Sequence, residues 1–434
     1  MRKIVFIIIA CLLATNNIFS NYKLGPISYT RLIEFMIFFA FFNSFIKEFS
    51  ENSYFRKYFL FVITFTVLQL FVNIKLVAFD GYETKMILEG FVKSISFGVF
   101  SFLFYLLIKS NIKYLNIILI IHFIICLFAL LQHPFSPLSS EVHELKKLLF
   151  IGTETTGELF ERLQNEEAYI RESIYDRFRL SGPFRSTIGF AYFLFVSFAL
   201  NIYMLIRTSK NIYLIPIGII IVCSILTQTR SLFLAEVIVI IGIVLFISTR
   251  KINSLKTIGI FISLIVASML FFNYSSRLDA VSQSRLENFS DTGSNRPLLW
   301  LTGIYAVANH PFGVSVVEYN QIKMEMFKKT GVPSVKNYSS HNGLINIGIH
   351  YTIFGYLVIF IFIWFIVNNS KKLERPFSLL FIIFMMGYLI NTSFHNRFAF
   401  YNDYDILMIV LLINIHFQFQ IDRNKITNEL DNFQ

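Results

Sequence analysis

Leu115-Asn116-Ile117-Ile118-Leu119-Ile120-Ile121-His122-Phe123-Ile124-Ile125-Cys126-Leu127-Phe128-Ala129-Leu130-Leu131-Gln132 is nearly unbroken hydrocarbon, and it stops at His133-Pro134-Phe135-Ser136-Pro137. Crossing a bilayer core takes a helix of about 20 apolar residues, and this run meets that length before two prolines end it. Comparable runs lie near 4–20, 29–46, 58–79, 87–108, 187–206, 212–228, 231–249, 257–272, 342–367, 376–392 and 404–420. The pattern predicts an all-α, polytopic integral membrane protein with ~12 transmembrane helices. A single membrane domain over 1–434 is expected, interrupted by two long loops at 133–186 and 273–341.

Composition agrees. Of 434 residues, 55% are apolar and 15% charged, whereas a soluble domain carries about 25% charged residues. The net charge of +11 would point to nucleic acid in a soluble chain. Here the distribution of Lys and Arg explains it, and no nucleic-acid partner is expected. Cys11, Cys126 and Cys223 all fall in apolar runs, so neither a disulfide framework nor zinc spacing is present. Arg2-Lys3 and the short apolar core after them resemble a signal peptide. Ala14-Thr15-Asn16-Asn17 makes a poor cleavage site, which favours a retained first helix.

With the N-terminus inside, one set of connections carries Lys47, Arg56, Lys57, Lys109, Lys113, Arg207, Lys210, Arg250, Lys251, Lys256, Lys371, Lys372, Arg375, Arg423 and Lys425. The short connections opposite carry only Lys23, Lys85, Arg230 and Arg397. Positive residues favour the cytoplasmic side, so both long loops are expected outside. In the first loop, Leu145, Leu148, Leu149, Leu159, Phe160 and Leu163 are spaced among charges, predicting amphipathic helices on the membrane surface. In the second, Pro297 marks a helix start that runs to the turn His310-Pro311-Phe312-Gly313.

The candidate functional residues sit where the loops meet the spans. Arg177, Arg179 and Arg185 flank Leu180-Ser181-Gly182-Pro183-Phe184 just before a span. Guanidinium groups bind phosphate oxygens bidentately and stay charged, so these residues are candidate substrate ligands rather than snorkelling anchors. Arg230, in Thr227-Gln228-Thr229-Arg230-Ser231, separates two spans with almost no loop, at a depth where a charge needs a partner or a function. Glu236 is its nearest alternative partner in sequence. Arg296 begins a helix, where an anion is favoured. His341, before Asn342-Gly343 at a span start, is the candidate general base, with Glu318 a weaker second. Asp403-Tyr404-Asp405 is a D-x-D sequence that helix-dipole stabilisation explains, so no metal or other cofactor is expected. Arg and His gathered at one rim of an apolar slab suggest chemistry on a charged, lipid-linked substrate.

These residues in this order resemble the O-antigen ligase and O-antigen or capsular polysaccharide polymerase superfamily. The similarity rests on R-x-S-G-x-F before a span, T-x-T-R-S between spans, R-x-x-x-W leading to H-P-F-G, and H-N-G at a late span, over roughly 177–356. The family pattern continues after S-G-x-F with Pro-Asn, where this chain has Arg185-Ser186-Thr187. The resemblance implies a GT-C-type, metal-independent, inverting glycosyltransferase of the bacterial inner membrane, working at the outer face. Its donor would be an oligosaccharide on undecaprenyl pyrophosphate, with a flippase and a chain-length regulator as protein partners. It implies that Arg179, Arg230, Arg185 and Arg296 neutralise the pyrophosphate and that His341 activates the acceptor hydroxyl. The first expectation is a polymerase of surface-polysaccharide repeat units, and the second a ligase that moves finished glycan to a lipid core or protein. A lipid-linked glycan transporter is the alternative of another class, but transporters place polar breaks at the midplane rather than at one rim.

Overall fold

The computed structural model describes residues 2–16, 18–19, 23–24, 27–80, 85–150, 157–175, 178–246, 296–395, 400 and 403–431. The described chain is helical apart from two short strands, Lys23–Leu24 and Ile27–Ser28, that pair antiparallel. The helices are α1 (Arg2–Thr15), α2 (Tyr29–Ala40), α3 (Phe42–Glu51), α4 (Ser53–Asp80), α5 (Lys85–Ser110), α6 (Tyr114–Gln132), α7 (Ser139–Leu148), α8 (Gly157–Arg171) and α9 (Thr187–Thr208). They continue as α10 (Leu214–Leu226), α11 (Arg230–Phe246), α12 (Arg296–Asn309), α13 (Val316–Thr330), α14 (Pro333–Asn337), α15 (Gly343–Ser370), α16 (Arg375–Thr392) and α17 (Tyr404–Asp431).

Among the described residues, six helices are long and apolar enough to cross a membrane: Ser53–Lys75, Ile87–Ser110, Tyr114–Gln132, Thr187–Thr208, Gly343–Ser370 and Arg375–Thr392. Lys3–Thr15, Asn211–Leu226 and Ile406–Ile421 are shorter apolar helices. The described residues are thus almost wholly helical where regular, consistent with a multi-pass membrane protein. The span expected at 257–272 lies outside the described residues.

The run 29–46, expected as one span, is two helices broken at Phe41, whose φ of −107° and ψ of 15° are not helical. The reason is the pattern after the break. Phe42, Phe45 and Phe49 share one side, while Asn43, Lys47, Glu48 and Glu51 occupy the rest, an amphipathic helix rather than an all-round apolar one. Phe45 sets its ring edge-on against Phe55, Phe59 and Phe102.

The chain forms two compact units. The first comprises Met1–Phe38, Leu103–Leu278 and Arg375–Gly387. Its centre is α9, buried on every side from Phe190 to Leu205, as expected of a helix that is apolar all round. Helices α6, α10 and α11 pack on it. Buried polar groups pair there, Ser197 Oγ lying 2.8 Å from His122 Nδ1, which removes the penalty of leaving them unbonded.

The second unit comprises Phe39–Phe102, Asp279–Glu374 and Tyr388–Gln434. Aromatic rings join α4 to α15: Phe61 stacks on Phe362 at 3.5 Å, Phe65 meets Tyr351 edge-on, and Tyr54 lies 4.7 Å from Phe365. Tyr351 also donates to Gln69. The phenylalanine richness of the sequence is used in such contacts, each adding about 0.5–1.5 kcal/mol beyond area burial.

Candidate functional site

In the first unit, the long loop folds into α7 and α8, the amphipathic helices expected there. Phe150, Leu159 and Leu163, with Leu149 against them, form its small apolar core. After α8 the chain turns back to start α9. Phe178 and Leu180 are fully buried, Phe178 against His133. Gly182 takes φ +53°, and a Cβ there would lie 2.9 Å from the Ala129 Cβ. Only glycine supplies both that backbone sign and that closeness. Ser186 caps α9 by accepting from the Gly189 amide at 3.1 Å.

This turn docks on the junction between α10 and α11. Leu180 N donates to Leu226 O at 3.0 Å. Arg179 Nε donates to Thr227 O at 3.2 Å, and its Nη2 reaches Gln228 O at 3.5 Å. The junction is sharp because Gln228 is left-handed, at φ +52°. Arg230 then opens α11, exposed and without a side-chain partner among the described residues. Glu236 is not its partner: that carboxylate is buried and accepts from Ser224 Oγ at 2.7 Å. The R-x-S-G and T-x-T-R-S segments, 48 residues apart at their closest hydrogen bond, are therefore one structural feature. Arg179, Arg185 and Arg230 are all exposed. Arg177 lies outside the described residues.

Two features of this region were missed from sequence. Arg162, on α8, donates through Nη1 to the Arg185 carbonyl at 2.8 Å. Beneath the turn, Lys146 Nζ lies 2.7 Å from Glu166 Oε2 and 2.6 Å from Ser181 Oγ. Ser181 Oγ donates to Glu166 Oε1 at 3.0 Å, and Gln132 Nε2 donates to Glu166 Oε2 at 3.3 Å. In sequence these residues read as ordinary surface charges; only the i,i+4 spacing of Arg162 and Glu166 on one helix face hinted at a shared task.

In the second unit, Ser340-His341-Asn342 forms a tight turn. Asn342 Oδ1 caps α15 by accepting from Leu344 N at 2.9 Å and Ile345 N at 3.1 Å. Buried Ser340 donates to Asn346 Oδ1 at 2.7 Å. Between them His341 sits in a left-handed conformation, φ +48°, half-buried, its ring 5.7 Å from that of Tyr338. Burial, with a smaller contribution from the Arg296 charge, holds the His341 pKa below its ordinary value of 6.5. The ring is therefore neutral near pH 7 and can accept a proton.

Helix α12 brings Arg296 to that histidine. It packs on α15 at Gly303, where a Cβ would fall 2.6 Å from Ile345 Cγ2 and 3.1 Å from the Ser340 Cβ. Arg296 is exposed, its guanidinium 5.7 Å from the centre of the Phe394 ring. The turn after α12 docks into a break in α15. Ile353 N donates to Pro311 O at 3.0 Å, and Thr352 has φ +67° and ψ −172°. That conformation costs a β-branched residue about 1–3 kcal/mol, and nothing in the sequence announces it.

Two lesser candidates have structural roles. Glu318 forms a capping box with Ser315, accepting from Ser315 N at 2.8 Å while Glu318 N donates to Ser315 Oγ at 3.1 Å. Those bonds hold its carboxyl below the usual range, so it is a helix cap rather than a base. Asp403 is buried and accepts from Tyr388 OH at 2.8 Å. Among the described residues, no three His, Cys, Asp or Glu side chains group as metal ligands.

Residues 215–360 match the family model Wzy_C, described as O-antigen ligase. The resemblance read from the motifs is therefore shown for that stretch, which contains Arg230, Arg296 and His341 and begins after Arg177, Arg179 and Arg185. The match supports ligase- or polymerase-type activity, since members of that family are glycosyltransferase-like enzymes. No curated protein and no solved structure matches the chain.

Proposed function

We propose that this protein is a membrane glycosyltransferase that polymerises repeat units of a surface polysaccharide. It would take glycan from an undecaprenyl-pyrophosphate donor at the outer face of the bacterial inner membrane, in a GT-C-type arrangement, downstream of a flippase and alongside a chain-length regulator. One observation carries the reading: Arg179 is bonded to the junction that Arg230 ends, so two arginine motifs distant in sequence build one cationic rim.

The chemistry follows from the residues. The acceptor hydroxyl attacks C1 of the donor sugar with inversion. The C1–O bond to the diphosphate breaks, and the diphosphate leaves with the bonding pair. His341, neutral at working pH, takes the hydroxyl proton. Arg179 and Arg230, with Arg177, Arg185 and Arg296 as further ligands, offset the charge that grows on the leaving group. A diphosphate leaves readily once that charge is stabilised, so fixed guanidinium groups serve where other enzymes use a divalent ion.

Purified protein in detergent, given lipid-linked repeat units and excess EDTA, distinguishes this reading from transport. Longer glycan and free undecaprenyl pyrophosphate are the expected products. A protein that moves the lipid across a bilayer but never lengthens the glycan is a transporter. Activity lost in EDTA and restored by a divalent ion would direct attention to Asp403 and Asp405. The description of the matched family as O-antigen ligase favours a second reading, in which the acceptor is a lipid core or a protein. Supplying each acceptor in turn separates the two.

A further inference from the structure

We propose that α8 is the positioning element of the arginine turn: Glu166, with Lys146, holds Ser181, and Arg162 holds the Arg185 backbone, so that Arg179 and Arg185 are presented to the donor diphosphate. The inference rests on the reading of that turn as the donor site.

The grip is bonded at both ends of Gly182-Pro183-Phe184. At one end, Ser181 Oγ donates to Glu166 Oε1 and accepts from Lys146 Nζ, at 3.0 Å and 2.6 Å. Glu166 Oε2 takes Lys146 and Gln132. Lys146 and Glu166 side chains are only 1% and 8% exposed. At the other end, one turn earlier on α8, Arg162 Nη1 donates to Arg185 O at 2.8 Å. The residue before Ser181 is Leu180, whose amide bonds to the end of α10, and before that stands Arg179, bonded to Thr227. Release of Ser181 therefore loosens the segment that sets both arginines.

Stability alone does not call for such a pair. A buried ion pair is often no more stabilising than apolar residues of similar volume. Its directional bonds do fix one backbone geometry, which is what a bidentate diphosphate site needs. His143, buried beside the pair with Nδ1 3.8 Å from Glu166 Oε2, is kept from protonating chiefly by burial, and so does not compete with Lys146 for the carboxylate.

Ser181→Ala tests the grip, because it deletes the shared hydroxyl and leaves Lys146 and Glu166 paired. Hydrogen–deuterium exchange reports on the turn, affinity for undecaprenyl pyrophosphate in detergent reports on presentation of the arginines, and thermal unfolding reports on the whole chain. The expected result is exchange about tenfold faster across residues 179–185, affinity weaker by about 10- to 100-fold, and an unfolding temperature lowered by only about 2–4 °C. Arg162→Ala, at the exposed end of the grip, gives the same pattern more weakly and replaces Ser181→Ala if that variant does not insert. Unchanged exchange in the turn overturns the proposal. So does faster exchange with undiminished affinity, provided Arg179→Ala does weaken affinity. If Arg179→Ala also leaves affinity intact, the turn is not the donor site, and the functional reading falls together with the proposal.

Discussion

Arg179 donates from Nε to the carbonyl of Thr227 at 3.2 Å, tying the turn before α9 to the end of α10, three positions before Arg230. The bond uses one edge of the guanidinium and leaves Arg179 exposed, as Arg230 is. On the proposed reading, a diphosphate carries enough oxygens to engage more than one such guanidinium.

Lysine should not substitute for either arginine. Lysine keeps the charge but loses the planar fork, and at position 179 it also loses the simultaneous reach to the Thr227 and Gln228 carbonyls. Arg179→Lys and Arg230→Lys are expected to raise the donor KM at least about tenfold while acceptor KM stays unchanged. Steady-state kinetics with each substrate varied in turn checks this.

The pH profile of transfer should have an acid limb set by His341. On the proposed mechanism the neutral imidazole is the active form, and burial and Arg296 hold its pKa below 6.5. Activity is then present above that depressed pKa and lost as pH falls through it. Arg296→Gln removes a charge that opposes protonation, so the limb should move to higher pH, whatever happens to the maximal rate. An acid limb that does not move would separate Arg296 from the histidine.

Much of this was legible in the sequence, for a physical reason. Long apolar runs have one solution in a bilayer, so the helices at 58–79, 87–108, 115–132, 187–206, 342–367 and 376–392 were readable from composition and length. What stayed hidden depends on partners distant in sequence. Nothing local to Lys146 says that it is buried against Glu166, and nothing near Thr227 says that Arg179 binds it. The break at Phe41 was misread because aromatic density masked a polar face. The strained Thr352 is set by the docked Pro311 turn, which no window around residue 352 contains.

Gly182→Ala is expected to damage the donor site out of proportion to its size. The added methyl would meet the Ala129 Cβ at 2.9 Å on a backbone of φ +53°, at a cost of about 1–3 kcal/mol. The turn should then lift from α6, lowering the unfolding temperature and weakening affinity for undecaprenyl pyrophosphate. Gly218→Ala, where a Cβ meets nothing within 4 Å, is the control and should change neither.

Reporter fusions test the orientation on which the outer-face assignment depends. Fusions after residues 150 and 320 should read as extracytoplasmic, and fusions after residues 52, 253 and 373 as cytoplasmic, following the Lys and Arg excess. Cytoplasmic signals from both long loops would put the arginine turn on the side where the donor is assembled rather than consumed.

The single-turnover rate of glycan transfer in purified wild type, Arg230→Ala and His341→Ala tests the central claim most directly. Truncating a charged partner of a diphosphate costs about 2–5 kcal/mol, or roughly 30- to 5000-fold in rate. Loss of a general base costs about 10²- to 10⁴-fold. Arg230→Ala should be slow because it binds the donor weakly, whereas His341→Ala should bind the donor normally and turn it over slowly. Transfer at the wild-type rate in both well-folded variants would contradict the account and leave Arg230 a helix-end charge and His341 a turn residue.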